Sequence, residues 1–441
     1  MPANKRLRQR VGACNNANAT SAKRSPPPLP PIPLDLVIEI LARSDDAGTL
    51  VRGAAASKPL RRAVLDPAFR RRLTTTRCRG GFDPGLFLGV SYASGTTYSP
   101  GYQRLRDVGQ LPPPPRNLLR FHEGLLKASE PVASRGGLVV LRRRMTTYWQ
   151  RFRDDLCVCD SLTGHTSDLP GADIRSVYAY VVLAVGGGGG GADAGRSFEL
   201  LIADGSLRTQ TFSSEHGEWG AVRETELPAR RLRLPISLCP ASRQPVVLGR
   251  TAVHGLTTGH NSFEWRIVAL DVAAARATTI ALPPECVDRM DMDERPHSRG
   301  PLLGPLLVSS ADGRRLSLLI AEFSVISMWT MSPPAAAPEG NDDLDERPSW
   351  SRQVVVERHP MDIGDKHRLV GRGMRFLAFG ERSGTVILQM QGDGLVRLQL
   401  GSGEKQVLSR RFKGRIEDTH RLDMCMHETD LCSLLQAMKP F

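Results

Sequence analysis

The chain has 441 residues, of which 40% are hydrophobic and 24% charged. That length suits about two to three domains, and that composition excludes a wholly disordered polypeptide. No apolar run reaches the roughly 18–20 residues that span a bilayer, and the basic stretch Met1–Arg10 has no apolar centre behind it, unlike a secretory signal. These features predict an intracellular protein of the cytoplasm or nucleus.

The formal net charge is +13, carried mostly by arginine. Clustered arginines would point to phosphate backbones, because they release counterions on binding. Here they are dispersed, with small groups at Arg70–Arg72, Arg142–Arg144 and Arg230, Arg231 and Arg233. Aromatic residues make up only 5%, which leaves little surface for base stacking. Solvated faces and loop ends explain the charge better than a nucleic-acid partner.

The eight cysteines follow neither a disulfide framework nor a zinc-finger spacing. Cys157 and Cys159 stand two apart on a predicted strand and read as packed thiols on one face. His420, Cys425, His427 and Cys432 are good zinc ligand types, but their spacing matches no closed site. A tail helix with ordinary polar residues is the competing reading, and no metal or cofactor is expected.

Residues 1–28 are rich in Ala, Asn, Ser, Lys and Arg and run into Pro26-Pro27-Pro28. They read as a disordered arm stiffening into polyproline. Lys5, Arg6, Arg8, Arg10 and Lys23-Arg24 fit either a weak bipartite nuclear signal or a solubilising arm.

Residues 29–75 read as a small helical module. Asp35–Arg43 carries apolar residues at helical spacing, with Pro33 just ahead, where its missing N–H costs nothing. Ser44–Gly48 breaks that helix, and Thr49 is placed to cap a second one from Leu50 to about Ala56. A third stretch, Pro59–Leu65, stops at Asp66-Pro67 because the residue before proline disfavours the helical region.

From residue 76 onward the chain reads as one large β-domain. Short β-rich runs are split by Gly, Pro, Asp, Asn and Ser. They include Gly137–Leu141, Val177–Val185, Phe198–Ala203, Val246–Leu248, Glu264–Leu270, Leu316–Phe323, Val354–Glu357, Phe376–Phe379, Val386–Gln389 and Val396–Leu400. More than 300 residues of this pattern exceed an ordinary sandwich and suit a closed propeller of about six blades.

Two alternating units support the ring. One runs strand, Asp, small turn, strand, Leu-Pro: Leu156–Asp160 with Leu169-Pro170, and Trp265–Asp271 with Leu282-Pro283, with a weaker copy at Leu395–Leu400. The other is a strand pair followed by a Trp-led strand: Phe198–Phe212 with Trp219–Val222, and Leu316–Met331 with Trp350–Val354. The Gly186–Gly191 run and Pro333–Arg347 read as loops. Glu428–Met438 is amphipathic and predicts a closing C-terminal helix.

Residues 32–69 resemble an F-box. The family opening Leu-Pro-x-x-Leu-x-x-Glu-Ile-Leu-x-Arg is matched by Ile32-Pro33, Leu36, Glu39-Ile40-Leu41 and Arg43. Leu50-Val51-Arg52, Ser57-Lys58, Arg61, Asp66-Pro67 and Phe69 follow in order. The departures are Ile32 for Leu, Ser44-Asp45 for Leu-Pro, Ala55-Ala56 for Val-Cys, Leu60 for Trp and one extra residue before Leu50. The remaining chain is similar to the propeller-like domains that follow F-boxes in large plant families, especially in grasses.

The resemblance implies an α+β multidomain chain: an all-α F-box followed by an all-β recruitment domain. It implies that the F-box binds a Skp-type adaptor, and through it a cullin–RING ligase, while the β-domain recruits a protein substrate for ubiquitination. The implied adaptor contacts are Ile32, Pro33, Leu36, Ile40, Leu41, Leu50, Val51, Lys58 and Leu60. The rival readings are a ligase-independent propeller scaffold and a propeller hydrolase. The hydrolase would need carboxylates such as Asp288, Asp291, Asp293 and Glu294 to converge, but Arg289 and Arg295 are interleaved among them. No nucleophile-elbow or metalloprotease pattern is present, so the chain is read as non-catalytic.

Overall fold

The computed structural model describes residues 32–69, 82–95, 105–111, 120–143, 155–186, 196–226, 244–258, 265–286, 304–332, 348–357, 374–412 and 421–430, apart from 45–46, 67, 123, 176, 311, 323–324 and 391. The arm at 1–28, Arg70–Arg72, most of the polyglycine run, the 333–347 loop and the acidic cluster at 288–294 lie outside these residues.

Three helices come first: α1 (Leu34–Arg43), α2 (Ala47–Ala56) and α3 (Lys58–Leu65). Asp35 sits in the first turn of α1, where a negative charge suits the helix dipole, and Arg43 in its last turn. Ser57 caps α3 by accepting a hydrogen bond from the Leu60 N–H at 3.3 Å. The second helix begins at Ala47, so Thr49 lies within its first turn and not at its cap; its hydroxyl accepts a hydrogen bond from Arg52 Nη2 at 3.0 Å. Leu41, Ala42, Leu50, Ala54, Val64 and Phe69 form the module's own core. A Cβ on Gly53 would stand 2.8 Å from the Leu41 methyls, so the absent side chain is what lets α1 and α2 approach.

A short 3-10 turn, Pro84–Leu86, leads into β1 (Phe87–Gly95), which pairs with β2 (Leu105–Leu111). Five antiparallel four-stranded sheets follow, each meandering outward in chain order. Blade 1 holds β3 (Ser129–Arg135), β4 (Leu138–Arg143), β5 (Leu156–Asp160) and β6 (Thr166–Asp168), entered through the one-turn helix α4 (Leu125–Ala128). Blade 2 holds β7 (Val177–Val185), β8 (Phe198–Asp204), β9 (Thr209–Ser213) and β10 (Glu218–Trp219). Blade 3 holds β11 (Val246–Leu248), β12 (Ala252–Thr258), β13 (Trp265–Asp271) and β14 (Arg276–Ala281). Blade 4 holds β15 (Leu306–Ser309), β16 (Leu316–Ala321), β17 (Val325–Met331) and β18 (Trp350–Glu357). Blade 5 holds β19 (Met374–Phe379), β20 (Thr385–Met390), β21 (Gly394–Gln399) and β22 (Lys405–Ser409). The last strand, β23 (Arg421–Glu428), returns to pair with β1, making a three-stranded sheet in the order β2-β1-β23.

The structure therefore has five four-stranded blades where the sequence predicts about six. The remaining sector is the three-stranded sheet, built from both ends of the β-domain. A second correction concerns the tail. Residues 421–428, within the His420–Cys432 stretch read as a tail helix with ordinary polar residues, form β23 and end on Glu428, where the closing helix was expected to start. Thr429 and Asp430 follow without helical structure, and residues 431–438 of the expected helix lie outside the described residues. Within β23, Leu422, Met424 and Met426 alternate onto one face and pack with β1 and blade 5, as the period of two requires.

Apolar clusters fill each junction between neighbouring sheets. Blades 1 and 2 share a core around Val140, Leu200 and Ile202, and blades 2 and 3 one around Val181, Val247 and Val268. Blades 3 and 4 meet at Trp265, Leu318 and Trp329, and blades 4 and 5 at Leu319, Phe376 and Leu388. This face-to-face packing explains why many strands read as nearly continuous apolar runs: both surfaces of each blade are covered.

One polar contact ties several sectors together. Arg135, at the end of β3, donates from Nε to Glu381 Oε2 at 2.9 Å in the β19–β20 turn. Its other nitrogens donate to the carbonyls of Val182, Leu183 and Val247 on blades 2 and 3. Those carbonyls have no further strand to pair with, so Arg135 satisfies inner-edge acceptors across the ring. Arg135→Met should lower unfolding stability by about 2–3 kcal/mol, read as a shift of the denaturation midpoint at unchanged slope.

Candidate adaptor interface

The first helix is apolar on two sides. Leu41 and Ala42 point into the module's core, with Val37 and Ile38 packed against it. On another side, Leu36 and Ile40 are 56% and 60% exposed, and Ile32, just ahead of the helix, is 62% exposed. Leu36 and Ile40 are four apart within the helix, so they lie on one face, and Ile32 is exposed beside the helix start. Leu34 adds a fourth exposed apolar side chain near the N-terminal end. A water-soluble helix normally covers one stripe and leaves the other polar. Large exposed apolar residues grouped in this way mark an interaction surface, whereas scattered ones do not.

The structure separates the nine sequence-picked residues into groups. Ile32, Pro33, Leu36, Ile40 and Lys58 are exposed. Leu41 and Leu50 are buried in the module's own core, and Leu60 is half-buried against it. Val51 is half-buried between that core and Leu88 and Leu162 of the β-domain. Charged residues frame this face: Glu39 and Arg43 pair at 2.9 Å.

The second site of interest centres on His427, one of the four residues weighed as zinc ligands; His420 and Cys432 of that group lie outside the described residues. His427 is fully buried near the end of β23. Its Nε2 lies 2.5 Å from Ser91 Oγ on β1, and its Nδ1 lies 2.8 Å from Ser161 Oγ beyond β5. The Phe121 ring tilts over it at 4.8 Å. Neutral imidazole has one donor and one acceptor nitrogen, and serine hydroxyls supply either complement. Burial drives the imidazole pKa down to about 3. The next residue, Glu428, turns to the other neighbouring sector. Its carboxylate accepts from the N–H and hydroxyl of Ser383 and from the Arg382 N–H, while burial pushes its pKa up. Beside them, Arg196 donates to Asp160 at 2.9 Å and to the Gly136 carbonyl at 2.6 Å. The end of β23 thus joins the three-stranded sheet to blade 1 on one side and blade 5 on the other.

His427 reaches hydroxyls, and no group of three or more metal-ligating side chains forms among the described residues. Cys159 is buried with its thiol pushed up to about 12, so it stays protonated and inert. No described helix is long and apolar enough to cross a membrane.

Radially stacked antiparallel sheets, closed by pairing the last strand with the first, define a β-propeller carrying a small helical module. Residues 89–441 match the family described as Domain of unknown function (DUF7595), and the chain belongs to that family. A comparison with curated proteins finds no match. Among solved structures, the chain is similar to Kuenenia stuttgartiensis hydrazine synthase at 10% identity, covering 72% of this chain and 76% of that one with a TM-score of 0.33. It is similar to apo AztD from Citrobacter koseri at 11% identity, with 74% and 67% covered and a TM-score of 0.28. The β-propeller domain of Myceliophteria thermophila Cps50 (Swd1) matches at 12% identity, with 64% and 89% covered and a TM-score of 0.31.

Proposed function

We propose that this protein is a non-catalytic substrate adaptor of a Skp–cullin–F-box ubiquitin ligase. The three-helix module binds a Skp-type adaptor, and the propeller recruits a protein client for ubiquitination. The observation that carries this reading is the exposure of Leu36 and Ile40 on one face of the first helix, with Ile32 exposed just ahead of it, at residues that match the F-box opening. A module of about 40 residues has little apolar surface to spare, yet this one leaves large aliphatics uncovered. An amphipathic or two-sided helix of this kind suits a groove on a partner. Lys58 and Pro33 lie exposed at helix N-termini, free to meet the same partner.

The test is a pull-down of the full chain with purified Skp-type adaptors from the same organism. Direct capture is expected. Failure with every adaptor would leave a propeller scaffold uncoupled from a ligase as the better reading.

A further inference from the structure

We infer that the three-helix module is a clasp across the closure seam of the propeller, and that Val51 is the positioning residue that fastens it. The seam is the junction between blade 1 and the three-stranded sheet, in which the last strand, β23, closes the ring by pairing with β1. Leu88 lies on one side of it, in β1, and Leu162 on the other, in the β5–β6 turn. Both are buried, at 3% and 6% exposure, and Val51 of α2 packs on the pair.

The seam's own bolt is close by in sequence on both sides. Ser161, which holds His427 Nδ1, immediately precedes Leu162, and Ser91, which holds Nε2, is three residues past Leu88. The turn is further fixed by Ser161 N–H donating to the Gly137 carbonyl at 2.7 Å and Arg120 N–H donating to the Ser161 carbonyl at 2.7 Å. Val51 therefore covers the apolar part of a joint whose polar part is the Ser91–His427–Ser161 bridge.

The connection entering the ring is pinned to a third sector. Asp83 N–H donates to the Arg382 carbonyl at 3.0 Å, and Asp83 Oδ1 accepts from Gly85 N–H at 2.9 Å. Phe82 sets its ring edge-on to Phe379 at 5.9 Å. Gly384 has a φ of +64°, and a Cβ there would collide with Phe82 at 2.2 Å, so only glycine admits this contact. The connection is thereby held to blade 5, while the module itself packs on the three-stranded sheet and blade 1 through Val51.

Val51 also belongs to the module's core, so one side chain serves both bodies. Whatever loosens the module loosens the seam. By linkage, a partner that binds and rigidifies the module stabilises the closed ring to the same degree that ring closure favours the partner. The clasp holds whether or not the partner is a ligase adaptor.

Thermal unfolding of the full chain, followed by its strand circular dichroism, tests this with Val51→Ala, Leu162→Ala and the double variant. Each single change should lower ring melting by roughly 2 °C or more. The double variant should lose less than the sum, because both changes remove one shared contact. Strict additivity, or unchanged ring melting in Val51→Ala, overturns the inference. Val51→Asp supplies a second readout by expelling the module from the seam. Amide exchange in β1 and β23 should then accelerate while β12 and β13 of blade 3 stay protected. Unaltered exchange in β1 and β23 also overturns it.

Discussion

Acidification from pH 7 to pH 4 should destabilise the protein by about 3 kcal/mol through His427 alone. Burial holds this imidazole down at about 3, against an ordinary 6.5. The folded state therefore keeps it neutral while the unfolded chain takes up a proton below 6.5. The unfolded state binds more protons, so stability is fully present above 6.5 and falls as pH drops towards 3. At about 1.4 kcal/mol per unit, the full loss approaches roughly 5 kcal/mol. His254, also lowered by burial, acts in the same direction. Glu428 has a raised pKa and acts in the opposite direction at the upper end of the window, because its protonated form is favoured in the fold. Near the bridge, Asp160 is paired with Arg196 at 2.9 Å, and Asp430 lies 3.8 Å from the same guanidinium. Unfolding midpoints at pH 7, 6, 5 and 4 should fall steeply for the natural chain. They should fall less for His427→Gln, whose amide can still donate and accept but carries no titrating proton. Parallel curves for the two proteins would remove His427 as the source.

Leu36→Ala with Ile40→Ala should weaken adaptor binding by roughly a thousandfold and leave the fold intact. Both side chains are more than half exposed, so the free protein loses little when they are trimmed. If both are buried in the complex, each would cost about 2–5 kcal/mol, and even a total near 4 kcal/mol is close to three powers of ten. The contrast with the neighbouring residue is sharp. Leu41→Ala should unfold the module, since Leu41 is buried against Gly53 and the α2 core. The double variant should keep the natural circular dichroism and fail in the pull-down. Retained binding would place the interface elsewhere on the module.

Much of the architecture was legible because the blades repeat their chemistry. The strand–Asp–turn–strand unit maps to the third and fourth strands of blades 1, 3 and 5, and the strand pair with a following tryptophan maps to the outer strands of blades 2 and 4. Val177–Val185 and Val246–Leu248 match their strands end to end. The three-stranded sheet was harder to read, since β23 is separated from β1 and β2 by almost the whole domain, and pairing of β1 with β23 leaves no local turn signal. The Leu422, Met424, Met426 alternation was the available clue, but the intervening Asp423, Cys425 and His427 suggested a polar tail. The exposed face of α1 was found through the motif. That Leu41 and Leu50 serve the module's core while Leu36 and Ile40 remain exposed depends on the angle between packed helices, which a linear pattern does not encode. Val51's double role was equally hidden, because Leu88 and Leu162 are distant in sequence.

The pairing of β23 with β1 also sets an order of events during synthesis. The helices and β1 leave the ribosome first, yet β1's inner edge has no partner until Arg421–Glu428 has been translated. Until then Ser91 and Ser161 lack the imidazole that bridges them, and the surface later covered by Met424 and Met426 faces solvent. A nascent chain, or one ended early by a premature stop, would be an open arc with a sticky edge, displaying apolar surface of the sort chaperones hold. The ring seam is therefore the last part of the fold that the order of synthesis allows to form, because β1 acquires its inner partner only with Arg421–Glu428.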